Sequence, residues 1–362
     1  MEFIDLKTQQ KRIQKQVQEK INTVLNHGQY IMGPEVFELE ERLAKYTGAK
    51  HCITNANGTD ALMLALMAIN IKPGDEVITT PFSFFATSEV ISFFGAVPVF
   101  VDIDRETYNI DANLIEEKIT KKTKAILPVS LYGQCADYDV IEEIAAKYGI
   151  VTIEDAAQSF GATYKNRKSC NLTKISCTSF FPSKPLGCYG DGGACFTNDD
   201  KIAEKIKILR THGQAKRYYH TEIGMNARLD TLQAAILLAK MDIFDDEIQL
   251  RHEIGARYTK LIKDIAPTQK ILTENTSAYA QYTIEVDNRE SVINKMKEQG
   301  IPTAVHYPIP LHLQPVYAGQ YKAGSYPKSE EAASRVVSLP MHPYLDEATQ
   351  DKVVAAVKES LK

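Results

Sequence analysis

The stretch SFFPSKPLGCYGDGG, Ser179 to Gly193, sets a single lysine between two prolines, behind an aromatic run and ahead of a cluster of turn formers. Proline fixes φ and glycine admits positive φ, so the segment reads as a held loop that presents one amine. A surface lysine ordinarily shares a polar helix face with other charges. Lys184 instead follows Phe180, Phe181 and Pro182 and precedes Pro185, Leu186 and Gly187. The apolar runs on either side, 175–180 and 193–197, read as short strands, so the loop hangs from the end of a sheet.

Working outward, apolar runs alternate with helical patterns. HCIT (51–54) precedes a helix beginning near Gly58, and DEVITT (75–80) precedes one over 86–94. VPVFVDI (97–103) leads to a helix over 111–119, and KAILPVSL (124–131) to one over 138–148. GIVTIED (149–155) is the next strand. Apolar strands joined by helices predict an α/β fold whose mostly parallel sheet is covered on both faces. Upstream, a helix over 11–26 and one carrying Val36, Leu39 and Leu43 flank the turn GQYIMGPEV. From Leu229 a long helical stretch with a bend leads out of the sheet. The rest reads as a strand (280–286), a helix (289–299), the strand TAVHY (303–307), a proline-rich loop and two closing helices. The expected division is a large domain over 1–246 and a smaller α+β domain over 247–362.

The chain of 362 residues is 44% hydrophobic and 24% charged, with a net charge of −4. That balance gives no electrostatic reason for nucleic acid or a membrane surface as partner. No apolar run approaches the roughly 18 residues of a bilayer span. The polar opening MEFIDLKTQQKRIQKQ resembles neither a signal nor a transit peptide, and the expected location is the cytoplasm. Cys52, Cys135, Cys170, Cys177, Cys188 and Cys195 form no C-x-x-C pair and fit no zinc spacing. They are expected as reduced, buried small hydrophobes, with no metal bound.

In an open parallel sheet, ligands collect at the carboxyl ends of the strands. Three segments put reactive residues there. In NANGTDAL (55–62), Gly58 allows close backbone approach and Thr59 adds a hydroxyl beside free helix-end N–H groups. That suits a phosphate, although Asn57 or Thr59 alone also reads as an ordinary helix cap. In IEDAAQSFGA (153–162), Asp155 ends an apolar strand, a costly place for an unpartnered carboxylate, and Gln158 follows. Taken alone, Asp155 equally reads as a cap. In the lysine loop, Ser179 offers a hydroxyl, and a desolvated Lys184 would be nucleophilic at neutral pH. One ligand asks for a phosphate seat, a carboxylate, a stacking ring and an imine-forming amine together: pyridoxal 5′-phosphate. Its phosphate would sit at Gly58, Thr59 and Ser179, its aldehyde at Lys184 and its pyridine nitrogen at Asp155. Phe84 of TPFSFFAT would stack on the ring.

The same residues carry a family resemblance over essentially the whole chain. GPEVFELEE, ANGTDAL, PFSFFAT, DIDRETYNID, EDAAQSFGA, SFFPSKPLG with GDGG, and GMNARLDTLQAAI, in that order, resemble the DegT/DnrJ/EryC1/StrS sugar-nucleotide aminotransferases. The resemblance implies fold type I, the aspartate-aminotransferase fold. It implies Lys184 as the Schiff-base lysine, Asp155 as the pyridine partner, Gln158 near the ring hydroxyl and Phe84 against the ring face. Gly58, Thr59 and Ser179 would take the phosphate, joined by Asn226 from a second subunit, which implies a homodimer with shared sites. Family dehydratases replace the lysine with histidine, so lysine at 184 implies amino transfer. PVSLYGQCADYD, CNLTKISCTSFFPSKPLGCYGDGGA and PTAVHYPIPLHLQP further resemble the 3-aminotransferases of UDP-2-acetamido-2-deoxy-3-oxo-glucuronate. That likeness implies L-glutamate as amino donor and a product destined for lipopolysaccharide O-antigen.

Both substrates carry carboxylates, and Arg228 is the candidate anchor because guanidinium binds carboxylate in a fork. His306 and Tyr307 of HYPIP are candidates for the sugar pocket, although His306 equally reads as a structural hydrogen-bonding residue. Tyr30, with His27 and Gln29 in HGQYIMGP, is a further candidate contact. The rival readings are a 4-keto-sugar aminotransferase or dehydratase of the same fold, and a non-catalytic cofactor-binding regulator. A dinucleotide oxidoreductase is disfavoured because no G-x-G-x-x-G follows the first strand.

Overall fold

A computed structural model describes residues 1–362. Its central sheet has seven strands: β1 (His51–Asn55), β2 (Glu76–Thr79), β3 (Val97–Phe100), β4 (Thr123–Leu127), β5 (Val151–Asp155), β6 (Ile175–Ser179) and β7 (Gly193–Thr197). Their order across the sheet is β1-β7-β6-β5-β4-β2-β3. β3, β2, β4, β5 and β6 run parallel, and β7 is antiparallel to both of its neighbours. Parallel pairs need crossovers. α3 (Gly58–Ala68), α4 (Ala86–Phe93) and α5 (Tyr138–Tyr148) supply the helical ones. The fold is the α/β class with a mostly parallel sheet that the sequence predicts.

Neighbouring residues along one strand go to different cores, as the two-residue period requires. Ile78 and Ile126 join Val36, Leu39, Leu43, Ile141 and Leu237 on one face. Val77 and Ala125 join Leu62, Leu64, Val90, Ile91 and Ile206 on the other. The first face is covered by α2 (Pro34–Thr47), α5 and α7 (Thr231–Met241), and the second by α3, α4 and α6 (Asp200–Leu209). All six cysteines are buried and free. No helix is long and apolar enough to cross a membrane.

α8 (Phe244–Ile262) follows α7 after a break at residues 242–243, the expected bend. Phe244 and Ile248 still belong to the first core, whereas Ile254, Tyr258 and Ile262 start another. That second core gathers Ile284, Val292, Met296, Val337, Leu339, Val353 and Val357. It is built on β8 (Tyr282–Glu285) paired antiparallel with β9 (Val336–Leu339), with α9 (Arg289–Glu298) and the closing helix α11 (Glu347–Ser360) packed against them. α10 (Pro327–Arg335) leads directly into β9.

Three elements differ from the sequence reading. Residues 111–119 form two 3₁₀ turns, Ala112–Leu114 and Glu116–Lys118, in place of an α-helix. Each closes on itself, with Ile115 N bonding Ala112 O and Ile119 N bonding Glu116 O, and β-branched Ile115 and Ile119 weaken helix preference there. TAVHY makes a single bridge from Ala304 to Ser338, because flanking Pro302 and Pro308 lack the N–H groups a ladder needs. β8 pairs with β9, a strand that the sequence reading did not mark, whose short run VVSL is stopped by Pro340.

At the end of β5 the alternation separates two adjacent carboxyls. Glu154 is fully buried and accepts from Ser169 Oγ at 2.8 Å and Cys170 N at 3.0 Å, while Asp155 faces the cavity described below. Burial pushes the Glu154 carboxyl up to about 7, against the hydrogen bonds that favour its charge. A carboxyl raised in the fold stabilises it while protonated, so its contribution is complete below the unfolded value and is lost as pH climbs through the folded one. Stability is therefore expected to fall between pH of about 4.5 and about 7. Glu154→Gln should flatten that slope in denaturant melts, and a variant with the wild-type slope would remove Glu154 as its cause.

Candidate active site

β1, β5 and β6 end on the same side of the sheet, and the residues just beyond them converge. Asn55 and Ser179 both lie opposite Gly193, the first residue of β7. A Cβ at Gly58 would stand 2.7 Å from Cβ of Ser179, and one at Gly193 would stand 2.6 Å from the Asn57 carbonyl. Glycine is needed at both places because the start of α3 presses directly on the ends of β6 and β7. Asn57 caps α3: its side chain accepts from Asp60 N at 2.8 Å and its carbonyl from Ala61 N at 3.0 Å. Capping leaves the N–H groups of Gly58 and Thr59 for a bound anion, with the Ser179 hydroxyl beside them. The cap and the candidate anion seat are thus the same structure.

These residues open onto a cavity of about 690 Å³. Gly58, Thr59, Phe84, Asp155, Gln158, Ser179, Lys184, His306 and Tyr307 all line it. The Lys184 loop is held by Lys184 N bonding Phe181 O at 2.9 Å and Cys188 N bonding Phe180 O at 2.7 Å. Lys184 is half-buried as a residue, yet its amine is desolvated. Burial holds the amine below the usual lysine range, and the Asp155 charge opposes that shift. Asp155 is 6% exposed, and burial raises its carboxyl above the usual range. Two donors and the Lys184 charge work against that rise. The donors are Thr87 Oγ1 to Oδ2 at 2.9 Å and Ala157 N to Oδ1 at 3.2 Å. Ser83 Oγ lies 3.0 Å from Thr87 Oγ1 and extends the relay to the cavity wall.

Gln158 spans two elements, accepting from Tyr132 N at 2.8 Å and donating to Tyr307 Oη at 3.0 Å. His306 lies 2.9 Å from Ser338 Oγ through Nδ1, and desolvation lowers its imidazole to about 4. It is therefore neutral at physiological pH, and it both lines the cavity and ties that wall to β9. Phe84 is 56% exposed at the mouth, its ring centroid 6.1 Å from that of Tyr307. A large aromatic left in water beside a cavity is available to stack on a flat ligand.

Asn226, Arg228 and Tyr30 do not line this cavity. Tyr30 O accepts from Thr231 N at 2.9 Å and Ile31 bridges Asp230, so the N-terminal turn is tied to the start of α7. Tyr30 and Asn226 are exposed, and Arg228 is half-buried with its Nε enclosed and unpaired. His27 instead meets Glu35 at 3.1 Å. Thr87 escaped the sequence reading, which took Phe84 from TPFSFFAT and not the hydroxyl three residues on.

The donors and volume fit a phosphorylated pyridine aldehyde: an anion seat, an acid positioned by two donors, a desolvated amine and an exposed aromatic share one cavity. Comparison with known proteins points the same way. Residues 11–358 match the model of the DegT/DnrJ/EryC1/StrS aminotransferase family. A Pseudomonas aeruginosa protein named UDP-2-acetamido-2-deoxy-3-oxo-D-glucuronate aminotransferase is 58% identical over 358 residues, covering 99% of each chain. The crystal structure of a DegT/DnrJ/EryC1/StrS aminotransferase from Brucella abortus superimposes with a TM-score of 0.96 at 43% identity, covering 100% of this chain and 99% of that one. The structure of NtdA from Bacillus subtilis with bound cofactor PMP gives a TM-score of 0.90 at 32% identity, covering 99% of this chain and 83% of that one.

Amine-selective labelling at limiting reagent, followed across pH, should give a Lys184 midpoint below the ordinary lysine range. Asp155→Asn removes the one charge favouring the cation and should lower that midpoint further. An ordinary midpoint, or a rise in the Asn variant, would contradict the electrostatics described.

Proposed function

The chain belongs to the DegT/DnrJ/EryC1/StrS aminotransferase family, and on that premise we propose its reaction. It moves an amino group from L-glutamate to the C3 ketone of a UDP-linked 2-acetamido-3-oxo-glucuronic acid, with pyridoxal 5′-phosphate as cofactor. The observation that carries this reading is the single cavity joining a desolvated Lys184 to Asp155 and to the anion seat at Gly58, Thr59 and Ser179. The 58% identity to the P. aeruginosa enzyme supports the sugar. Supply of an amino sugar for O-antigen in the cytoplasm belongs to the same reading.

When bound, the cofactor supplies an aldehyde that exchanges amines and a ring that accepts the electron pair left by proton removal. The chain's residues do the rest. The N–H groups of Gly58 and Thr59 and the Ser179 hydroxyl hold the phosphate. Asp155, oriented by Thr87 and Ala157, keeps the pyridine nitrogen protonated. Phe84 would stack on the ring, and Gln158 would stand near its hydroxyl, both from the cavity wall. Lys184, whose desolvated amine is held below the usual lysine range, would take a proton from the substrate carbon and later give it back. The same base serves both half-reactions, first with glutamate and then, in reverse, with the sugar ketone.

Arg228 anchors a substrate carboxylate, and His306, Tyr307 and Tyr30 contact the sugar. Asn226 reaches the phosphate of the other subunit's cofactor in a homodimer. Support for that assembly comes from the exposed group at the start of α7, where Asn226 and Tyr30 stand outside their own chain's cavity. The division into a large and a small domain at 246/247 falls within α8 and is supported by the separate second core.

Purified protein with the cofactor should absorb at the edge of the visible, and glutamate should bleach that band. Lys184→Ala should remove the band and cut turnover by at least about 10³-fold, a loss typical of a missing acid–base group. NMR of the product should find nitrogen on C3 of the uronate. Nitrogen on C4 would replace the sugar assignment, and a yellow, active alanine variant would end the lysine assignment.

A further inference from the structure

Among the chain's lysines only Lys240 is buried, at 1% exposure, and it does not line the Lys184 cavity. From α7 its Nζ donates to the Gly187 carbonyl at 2.5 Å and lies 4.5 Å from the ring centroid of Tyr189. Neither of these two neighbours carries a full charge. Burial lowers the amine to about 8, with Cys188 and Glu247 opposing that shift, so it keeps its proton at neutral pH. A buried ammonium is costly, and an apolar side chain of the same length would fill the space without that cost. What the charge adds is a strong donor to one carbonyl and an attraction to one ring face.

Gln233 stands two turns earlier on the same face of α7. Its Oε1 accepts from Tyr189 N at 2.9 Å, and its Nε2 donates to Tyr189 O at 3.3 Å. The helix thus holds residues 187–189 by a carbonyl, a ring and both polar groups of one backbone residue.

This hold reaches Lys184 because the loop is closed on itself. Cys188 N bonds Phe180 O, and Lys184 N bonds Phe181 O. A Cβ at Gly187 would stand 2.6 Å from the Pro182 carbonyl oxygen, so residues 182 and 187 touch across the loop. Residue 187 cannot shift without displacing 180–184.

We infer that Lys240, with Gln233 beside it, is a positioning residue: it fixes Gly187 from α7 and so sets where the Lys184 amine meets the cofactor aldehyde. The inference rests on the cofactor reading above. In that step Nζ of Lys184 bonds the aldehyde carbon and the aldehyde oxygen leaves as water. A misplacement of about 1 Å is enough to slow or weaken such a step strongly.

Equilibrium titration of the full chain, stripped of cofactor, with two forms of the cofactor tests this. Pyridoxal 5′-phosphate can bond Lys184, whereas pyridoxamine 5′-phosphate offers the same phosphate and ring and cannot. Lys240→Met keeps the length of the side chain and removes the ammonium. It should weaken the aldehyde form about tenfold and leave the amine form unchanged. A purely structural role would move both forms together, and that result, or no change in either, overturns the inference. Gln233→Leu releases Tyr189 from the same helix without touching a buried charge, so it decides the matter even where Lys240→Met does not fold. It too should weaken the aldehyde form alone, and an equal loss for both forms, or none, overturns the inference. Wild-type protein that binds both forms but gives no band at the edge of the visible with the aldehyde overturns the Lys184 assignment and this role together. Protein that binds neither form overturns the cofactor reading itself.

Discussion

The arrangement depends on one electrostatic constraint: an amine and a carboxylate are both taken out of water on the walls of one cavity. Burial alone drives Lys184 toward the neutral amine and Asp155 toward the neutral acid. Each charge opposes the other's shift, and Thr87 and Ala157 add hydrogen bonds that favour the carboxylate. The outcome is an amine held below its usual range and a carboxyl held above its own, both on the walls of one cavity. Neither property belongs to the residue types; both come from where the sheet ends.

The sheet sets this up through its two-residue period and through close approach. β5 turns Glu154 into a closed nest of Ser169 and Cys170 and turns Asp155 the other way, so adjacent carboxyls have unrelated environments. Glycines at 58 and 193 let the start of α3 touch the ends of β6 and β7, where any side chain would intrude. The second core then supplies the opposite wall. β8 and β9 fix the backbone there, and Gln158, bonded to Tyr307, ties the two walls together. An amphipathic helix shared by both cores, α8, keeps the walls in register.

Most of this was legible because it rests on local chemistry. Apolar runs of four to five residues between helical patterns revealed the parallel strands, since a strand buried on both faces has no polar alternation to hide it. Asp155 was conspicuous because a carboxylate is out of place at the end of such a run. Lys184 stood out for its prolines. What escaped depends on long-range pairing. VVSL, which the sequence reading did not mark as a strand, becomes β9 because β8 lies beside it, and TAVHY, between its two prolines, makes only one bridge to β9. Thr87 and Lys240 carry no sequence signature. The first matters through the carboxylate it touches and the second through the loop it holds. Asn226 was legible only by resemblance, Arg228 by its fork of donors and Tyr30 by its turn, and all three lie outside the cavity of their own chain.

The central claim is that this one amine, made nucleophilic by its surroundings, is where the cofactor joins the chain. Borohydride reduction of the cofactor-loaded protein followed by peptide mass mapping tests it most directly, because reduction makes the linkage permanent. A pyridoxyl group on the peptide carrying Lys184, and on no other of the chain's lysines, is the predicted result. A label on a different lysine, or none after saturation with cofactor, would contradict it.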